Sequence, residues 1–163
     1  MQKTKMMKKG RRKTRHVQIA AGIACLLVAC TIYLVMRSKS IALYQWCRAT
    51  VGTALADSMR EATRGWAVPD FVRYSLPDGL YCLSYILIAD AIWSGSRQAA
   101  KYIVVAAIPA AALLHETMQL AGLARGTFDW ADVACYALPL AAYFLYQATQ
   151  VSEIKVRRNH FSY

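Results

Sequence analysis

Acidic residues are scarce in this chain: nine Asp and Glu stand against twenty Lys and Arg, for a formal net charge of +11. The imbalance is sharpest at the start, where Lys3, Lys5, Lys8, Lys9, Arg11, Arg12, Lys13 and Arg15 meet no acid. The same stretch has no aromatic residue on which a base would stack, and an apolar run follows it at once. It therefore reads as a topology signal in contact with anionic lipids, and no nucleic-acid partner is expected. The five cysteines, at 25, 30, 47, 82 and 135, form no CxxC pair and no even framework, and four of them lie in apolar runs as small packing residues. There is no Gly-rich phosphate loop, no nucleophile elbow and no Cys/His pair, so the sequence offers none of these routes to nucleotide binding or nucleophilic catalysis.

Apolar residues, in contrast, make up 57% of the chain and are gathered into long runs. Val17 to Met36 carries no charge, and about twenty residues at 1.5 Å each match a hydrocarbon core of roughly 30 Å. With further runs at 76–93, 102–123 and 133–151, the pattern predicts an all-α integral membrane four-helix bundle whose first span is 17–36. Lys and Arg set its orientation. The dense basic start faces only Arg37 and Lys39 across the first span, which predicts N-in and C-in, with Arg97 and Lys101 in an inner loop and Lys155, Arg157 and Arg158 in an inner tail. The outer connection holds Arg48, Arg60, Arg64 and Arg73, partly offset by Asp57, Glu61 and Asp70. The expected organisation is a basic cytoplasmic tail at 1–16, a transmembrane domain at 17–151 and a second basic cytoplasmic tail at 152–163, in a multi-pass protein of the cytoplasmic (inner) membrane.

Leu27-Val28-Ala29-Cys30 has the shape of a lipoprotein processing site, but Thr31 to Met36 continues the apolar run and leaves the segment long enough to remain an anchor. Between the first two spans, Tyr44, Cys47, Val51, Leu55, Met59 and Ala62 recur at helical spacing over 41–63. Arg48, Asp57, Arg60, Glu61 and Arg64 lie opposite, and the pattern predicts one amphipathic helix on the outward side. Ser75-Leu76-Pro77-Asp78 reads as the entry to the second span, with Ser75 as N-cap and Pro77 in the first turn. Asp129 and Asp132 precede and open the fourth span, where carboxylates satisfy free amides. Asp90 is expected to snorkel toward the inner interface or to pair with Arg97.

Glu116 and Gln119 resist such explanations because they lie within the third span. A carboxylate there costs on the order of 3 kcal/mol by the gentler insertion scales, and it normally faces a partner or a wet cavity. Three residues apart, the two share a helix face, with His115 on the flank. Asp78, Arg125, Asp129 and Asp132 are expected at the same outer end. His115-Glu116 begins like a zinc-hydrolase helix, but the fifth position is Gln119 and an amide is a poor zinc ligand. Asp78, Glu116, Asp129 and Asp132 form the set that a hard divalent cation such as calcium or magnesium would take, with Arg125 competing as an internal counter-ion. No other cofactor is expected.

Glu116, Gln119, Arg125, Phe128, Asp129 and Asp132, with Asp78 and Tyr85 upstream, give the chain a resemblance to the VanZ-like membrane proteins. That family's signature is a Glu followed three residues later by Gln in a span, then an Arg, an aromatic with Asp, and a second Asp opening the last span. The resemblance covers about 75–143. It departs from the family after the last aspartate, where Tyr136 and Pro139 stand instead of Asn and then Gly. It implies an envelope protein linked to low-level resistance to the glycopeptide teicoplanin. Three readings follow. The first is a non-enzymatic protein whose outward polar pocket binds or screens an amphiphile or lipid head group, lined by Asp78, Tyr81, Tyr85, Glu116, Gln119, Arg125, Asp129 and Asp132. In it Arg125 meets an anionic group, and Tyr81 and Tyr85 form an apolar wall. The second is an enzyme on a lipid-linked substrate with Glu116 as general acid or base. The third is a structural membrane subunit in which Glu116 and Gln119 join helices and Arg125 is their counter-ion.

Overall fold

The computed structural model describes residues 2–94 and 98–160, with side chains described for 14–94 and 99–150. The expected inner-loop Arg97, the side chains of Lys3 to Lys13 and those of Lys155, Arg157 and Arg158 lie outside the described residues. Among the described residues every regular element is helical: α1 (Gln2–Met36), α2 (Ala42–Thr50), α3 (Ala54–Ala62), α4 (Asp70–Ile92), α5 (Gln98–Leu120) and α6 (Trp130–His160). Three stretches are long and apolar enough to cross a membrane: Thr14–Met36, Asp70–Ile92 and Ala99–Leu120. α6 is helical where a fourth span was expected but is not one of these three. Tyr136, Tyr143, Tyr146, Gln147 and Gln150 dilute its apolar run.

Two boundaries differ from the sequence reading. The second long helix begins at Asp70, with Pro69 at its N-cap position, instead of at Leu76. Ser75 and Pro77 are inside it and buried. A proline removes one ladder hydrogen bond, a loss that helices tolerate when close neighbours cover the site. The connection at 41–63 is two short helices, not one. Gly52 at φ +87° turns the chain between them, a conformation that side chains disfavour. Of the apolar stripe expected on a single helix, Tyr44 is buried, whereas Val51 and Leu55 at the elbow are each 77% exposed.

α4 is the hub. α1, α5 and α6 each pack on it, α5 also meets α6, and α2 and α3 lie against α1. Among the described residues α1 packs against neither α5 nor α6. Small residues let α1 and α4 approach closely: Ala29 is buried, and a Cβ added to Gly22 would lie 2.7 Å from Ile88 Cγ1. A cluster of Ile86, Ala89, Val105 and Tyr143 joins α4, α5 and α6. Two arginines fasten helix ends whose last carbonyls have no partner within the helix. Arg60 donates to Leu34 O and Arg37 O, both at 2.6 Å, at the end of α1. Arg15 donates to Ala91 O (2.9 Å) and Ile92 O (3.3 Å) at the end of α4.

Candidate functional site

Asp78 lies about 12 Å along α4 from its start at 1.5 Å per residue. Helices on both sides reach it. Tyr33 of α1 donates a short hydrogen bond to Oδ1. Tyr136 of α6 donates to Oδ2 at 3.3 Å, and the Arg37 guanidinium is 3.9 Å from the same oxygen. Arg37 also stacks over Tyr33 and Tyr74, with 4.9 and 5.0 Å to the ring centroids, and donates to Tyr74 O at 3.1 Å. Asp78 fits between helices because its neighbour on α4, Gly79, has no side chain: a Cβ there would be 3.1 Å from that of Cys135 on α6.

The α5–α6 turn carries the remaining expected residues. Glu116 is 4% exposed, and its Oε2 accepts the Asp129 amide at 3.5 Å. Asp129 Oδ1 accepts the Ala131 amide at 2.8 Å, and Asp132 lies in the first turn of α6. Gln119 donates to Arg125 O at 3.4 Å and shares a 3.1 Å hydrogen bond with His115 Nδ1. The structure corrects the expectation of a Glu116–Arg125 counter-ion pair. The Arg125 side chain is exposed and makes no ion pair among the described residues, although its carbonyl lies against Gln119 of α5.

Tyr81 and Tyr85 part company. Tyr81 lines a cavity of about 390 Å³ with Asp78, Tyr33, Leu26, Ala29 and Cys30, whose walls are apolar apart from the Asp78–Tyr33 end. Tyr85 instead donates to Val104 O at 2.5 Å and packs on the α4–α5–α6 cluster. Leu43 of α2 also lines this cavity. A second cavity of about 420 Å³ lies under the α2–α3 elbow, against Leu34 and Val35 of α1. Among the described residues no three His, Cys, Asp or Glu side chains form a group that could hold a metal ion.

Four side-chain atoms are buried without a hydrogen-bond partner among the described residues: Arg37 Nε, Arg73 Nε, Gln119 Oε1 and Asp132 Oδ1. All four belong to the end of the molecule where Asp78 lies. Buried polar atoms are nearly always paired, so two spare donors and two spare acceptors at one end mark capacity for a further polar group.

The sequence reading underrated Asp90. It is 8% exposed and does not snorkel. Lys101 Nζ lies 2.6 Å from Oδ1, which also accepts from Tyr143 (2.8 Å) and Gln147 (3.1 Å), while Gln18 donates to Oδ2 at 3.0 Å. The signal was present: Gln18 sits in an apolar run, and Tyr143 and Gln147 are one turn apart in another. Compared with known proteins, the chain matches no family model, no curated protein and no solved structure.

Proposed function

We propose that this is a VanZ-like protein of the cytoplasmic membrane in which α1, α4, α5 and α6 all span, N-in and C-in. Its outward end binds or screens an amphiphile through the Asp78 group. The observation that carries the reading is an apolar-walled cavity of about 390 Å³ that ends on Asp78 and Tyr33; four unpaired buried polar atoms, none of them on its walls, belong to the same end of the molecule. An apolar tail fits such walls, and a hydrogen-bonding head group fits the carboxylate and hydroxyl. Val51, Leu55, Trp46 and Trp66 are exposed on and after the elbow and suit a helix pair lying in the membrane interface.

In a teicoplanin-susceptible host, expression of the protein is expected to raise the teicoplanin concentration that stops growth. Asp78→Asn, at equal protein level, is expected to remove that protection. A wild type that gives no protection, or a variant that protects equally, overturns the reading. Orientation is tested separately by single cysteines at 57, 129 and 155 in a cysteine-free chain. An impermeant thiol reagent on intact cells should label the first two alone.

A further inference from the structure

α1 and α6 leave a crevice between them at the Arg15 end, floored by α4. Its inner part is a polar cavity of about 270 Å³ with Arg15, Gln18, Ser94, Gln147 and Gln150 on its walls. It continues into a second cavity of about 390 Å³ whose walls include Leu83, Ile86, Leu87, Pro139 and Ala142. Thr14, Gln18, Asp90 and Tyr146 border both, so the polar and apolar compartments are neighbours in one crevice. The first has amides and a guanidinium, and the second is lined mainly by hydrocarbon. That order, head then tail, matches a lipid entering sideways from the bilayer.

Charge selects the lipid. The Asp90 carboxylate is already matched by Lys101 at 2.6 Å. Arg15 is held by two carbonyl oxygens, Ala91 O and Ile92 O, and has no carboxylate partner among the described residues. Among the described residues, then, no carboxylate neutralises its positive charge at the polar compartment, and two carbonyls fix its position. The residues before it add Lys3, Lys5, Lys8, Lys9, Arg11, Arg12 and Lys13 without an acid. Such a field draws anionic head groups to this end of the molecule.

We propose that this crevice is a binding site for one anionic diacyl phospholipid, its phosphate on Arg15 with the amides of Gln18 and Gln150 beside it, and one acyl chain lying over Leu83 and Leu87. The site is separate from the Asp78 group, and it stands whether or not the outward end binds an amphiphile. Bound there, the lipid bridges α1 and α6, which among the described residues do not pack on one another. It would be a structural lipid of the bundle, not a substrate.

Native mass spectrometry of the full-length protein in detergent tests this, with dioleoyl phosphatidylglycerol, dioleoyl phosphatidylcholine and inorganic phosphate added in turn. One phosphatidylglycerol should be retained per chain, about tenfold more tightly than phosphatidylcholine, since one charge contact at a membrane surface changes affinity on that scale. Inorganic phosphate, which lacks the chain, should give no saturable adduct. Arg15→Gln should weaken retention about tenfold, and Arg15→Lys should restore it by returning the charge. Ala142→Trp, at an exposed position on the crevice wall, should remove the tight site while circular dichroism stays helical. Equal retention of the two lipids, a saturable phosphate adduct, or undiminished phosphatidylglycerol binding by the well-folded Ala142→Trp protein would each overturn the proposal.

Discussion

Asp78 and Asp90 are separated by about 18 Å along α4 at 1.5 Å per residue, and each is reached from α1 on one side and α6 on the other. At Asp90 the two oxygens receive Lys101, Tyr143, Gln147 and Gln18 at 2.6 to 3.1 Å. At Asp78 the short Tyr33 contact is joined by only a 3.3 Å hydrogen bond and a 3.9 Å ion pair. The four unpaired buried polar atoms lie toward Asp78, and none belongs to the Asp90 group. A fully satisfied network stiffens the elements it joins, whereas a partly satisfied one keeps capacity for a ligand. The difference teaches that burial of a charge does not by itself make a carboxylate's own group a ligand site: the count of unused donors and acceptors separates the Asp78 group from the Asp90 group, and the lipid proposed beside Asp90 rests on Arg15 and not on that satisfied network.

The largest expected effect falls on the closed end. Lys101→Ala leaves Asp90 buried without its cation and is expected to cost about 3 to 5 kcal/mol in thermal unfolding in detergent. Adding Asp90→Asn should recover much of that loss, because the uncompensated charge is then gone. Additive single effects would break the comparison by denying the pair its role. Next comes the packing that brings α1 to both carboxylates. Gly22→Leu drives carbon into Ile88 and is expected to cost about 1 to 3 kcal/mol, with Ile88→Ala in the same chain recovering part. Asp78→Asn keeps the shape and loses a long, partly exposed ion pair together with the acceptor of the 3.3 Å Tyr136 hydrogen bond, whose hydroxyl can turn to accept from the amide instead, so its expected cost is about 1 kcal/mol. A loss of several kcal/mol there would make the two ends alike and remove the distinction.

A third carboxylate, outside both networks, calibrates the others. Asp57 is held well below the ordinary carboxylate range, at about 2, by the Lys39 ammonium and by the Thr53 and Tyr44 hydroxyls. Its folded-state value is depressed, so its contribution is fully present above its ordinary value of 3.8 and is lost as pH falls toward about 2. Amide exchange across α2 and α3 is expected to quicken over that interval. The Asp57→Asn protein should show no such acid-dependent step, and this exposed site gives the smallest effect of the set.

Periodicity and charge made the helical class legible, together with the long apolar helices, because each depends on residues close in sequence. What they missed came from contacts between distant residues. Pro77 looked like a helix start because a proline near a serine usually is one; only its burial inside α4 lets the helix begin at Asp70. The amphipathic stripe of 41–63 concealed the turn at Gly52, since the spacing of apolar residues continues across it. Glu116 was legible as a buried carboxylate, but its partner was a backbone amide, which no residue identity announces. Asp90 was expected to snorkel or to pair with Arg97; among the described residues it is buried and its cation is Lys101, and Arg97 lies outside the described residues.

Among the described residues α1 and α6 meet only through α4, which has a consequence for the order in which the protein is made. A chain synthesised from its N-terminus presents both α4 carboxylates well before their α6 partners: Tyr136 follows Asp78 by 58 residues, and Tyr143 follows Asp90 by 53. During that interval α1 alone can attend to them, with Tyr33 and Arg37 at one end and Gln18 at the other, until Lys101 arrives on α5. The first helix is thus the partner available earliest in synthesis, and α6 is the last to arrive.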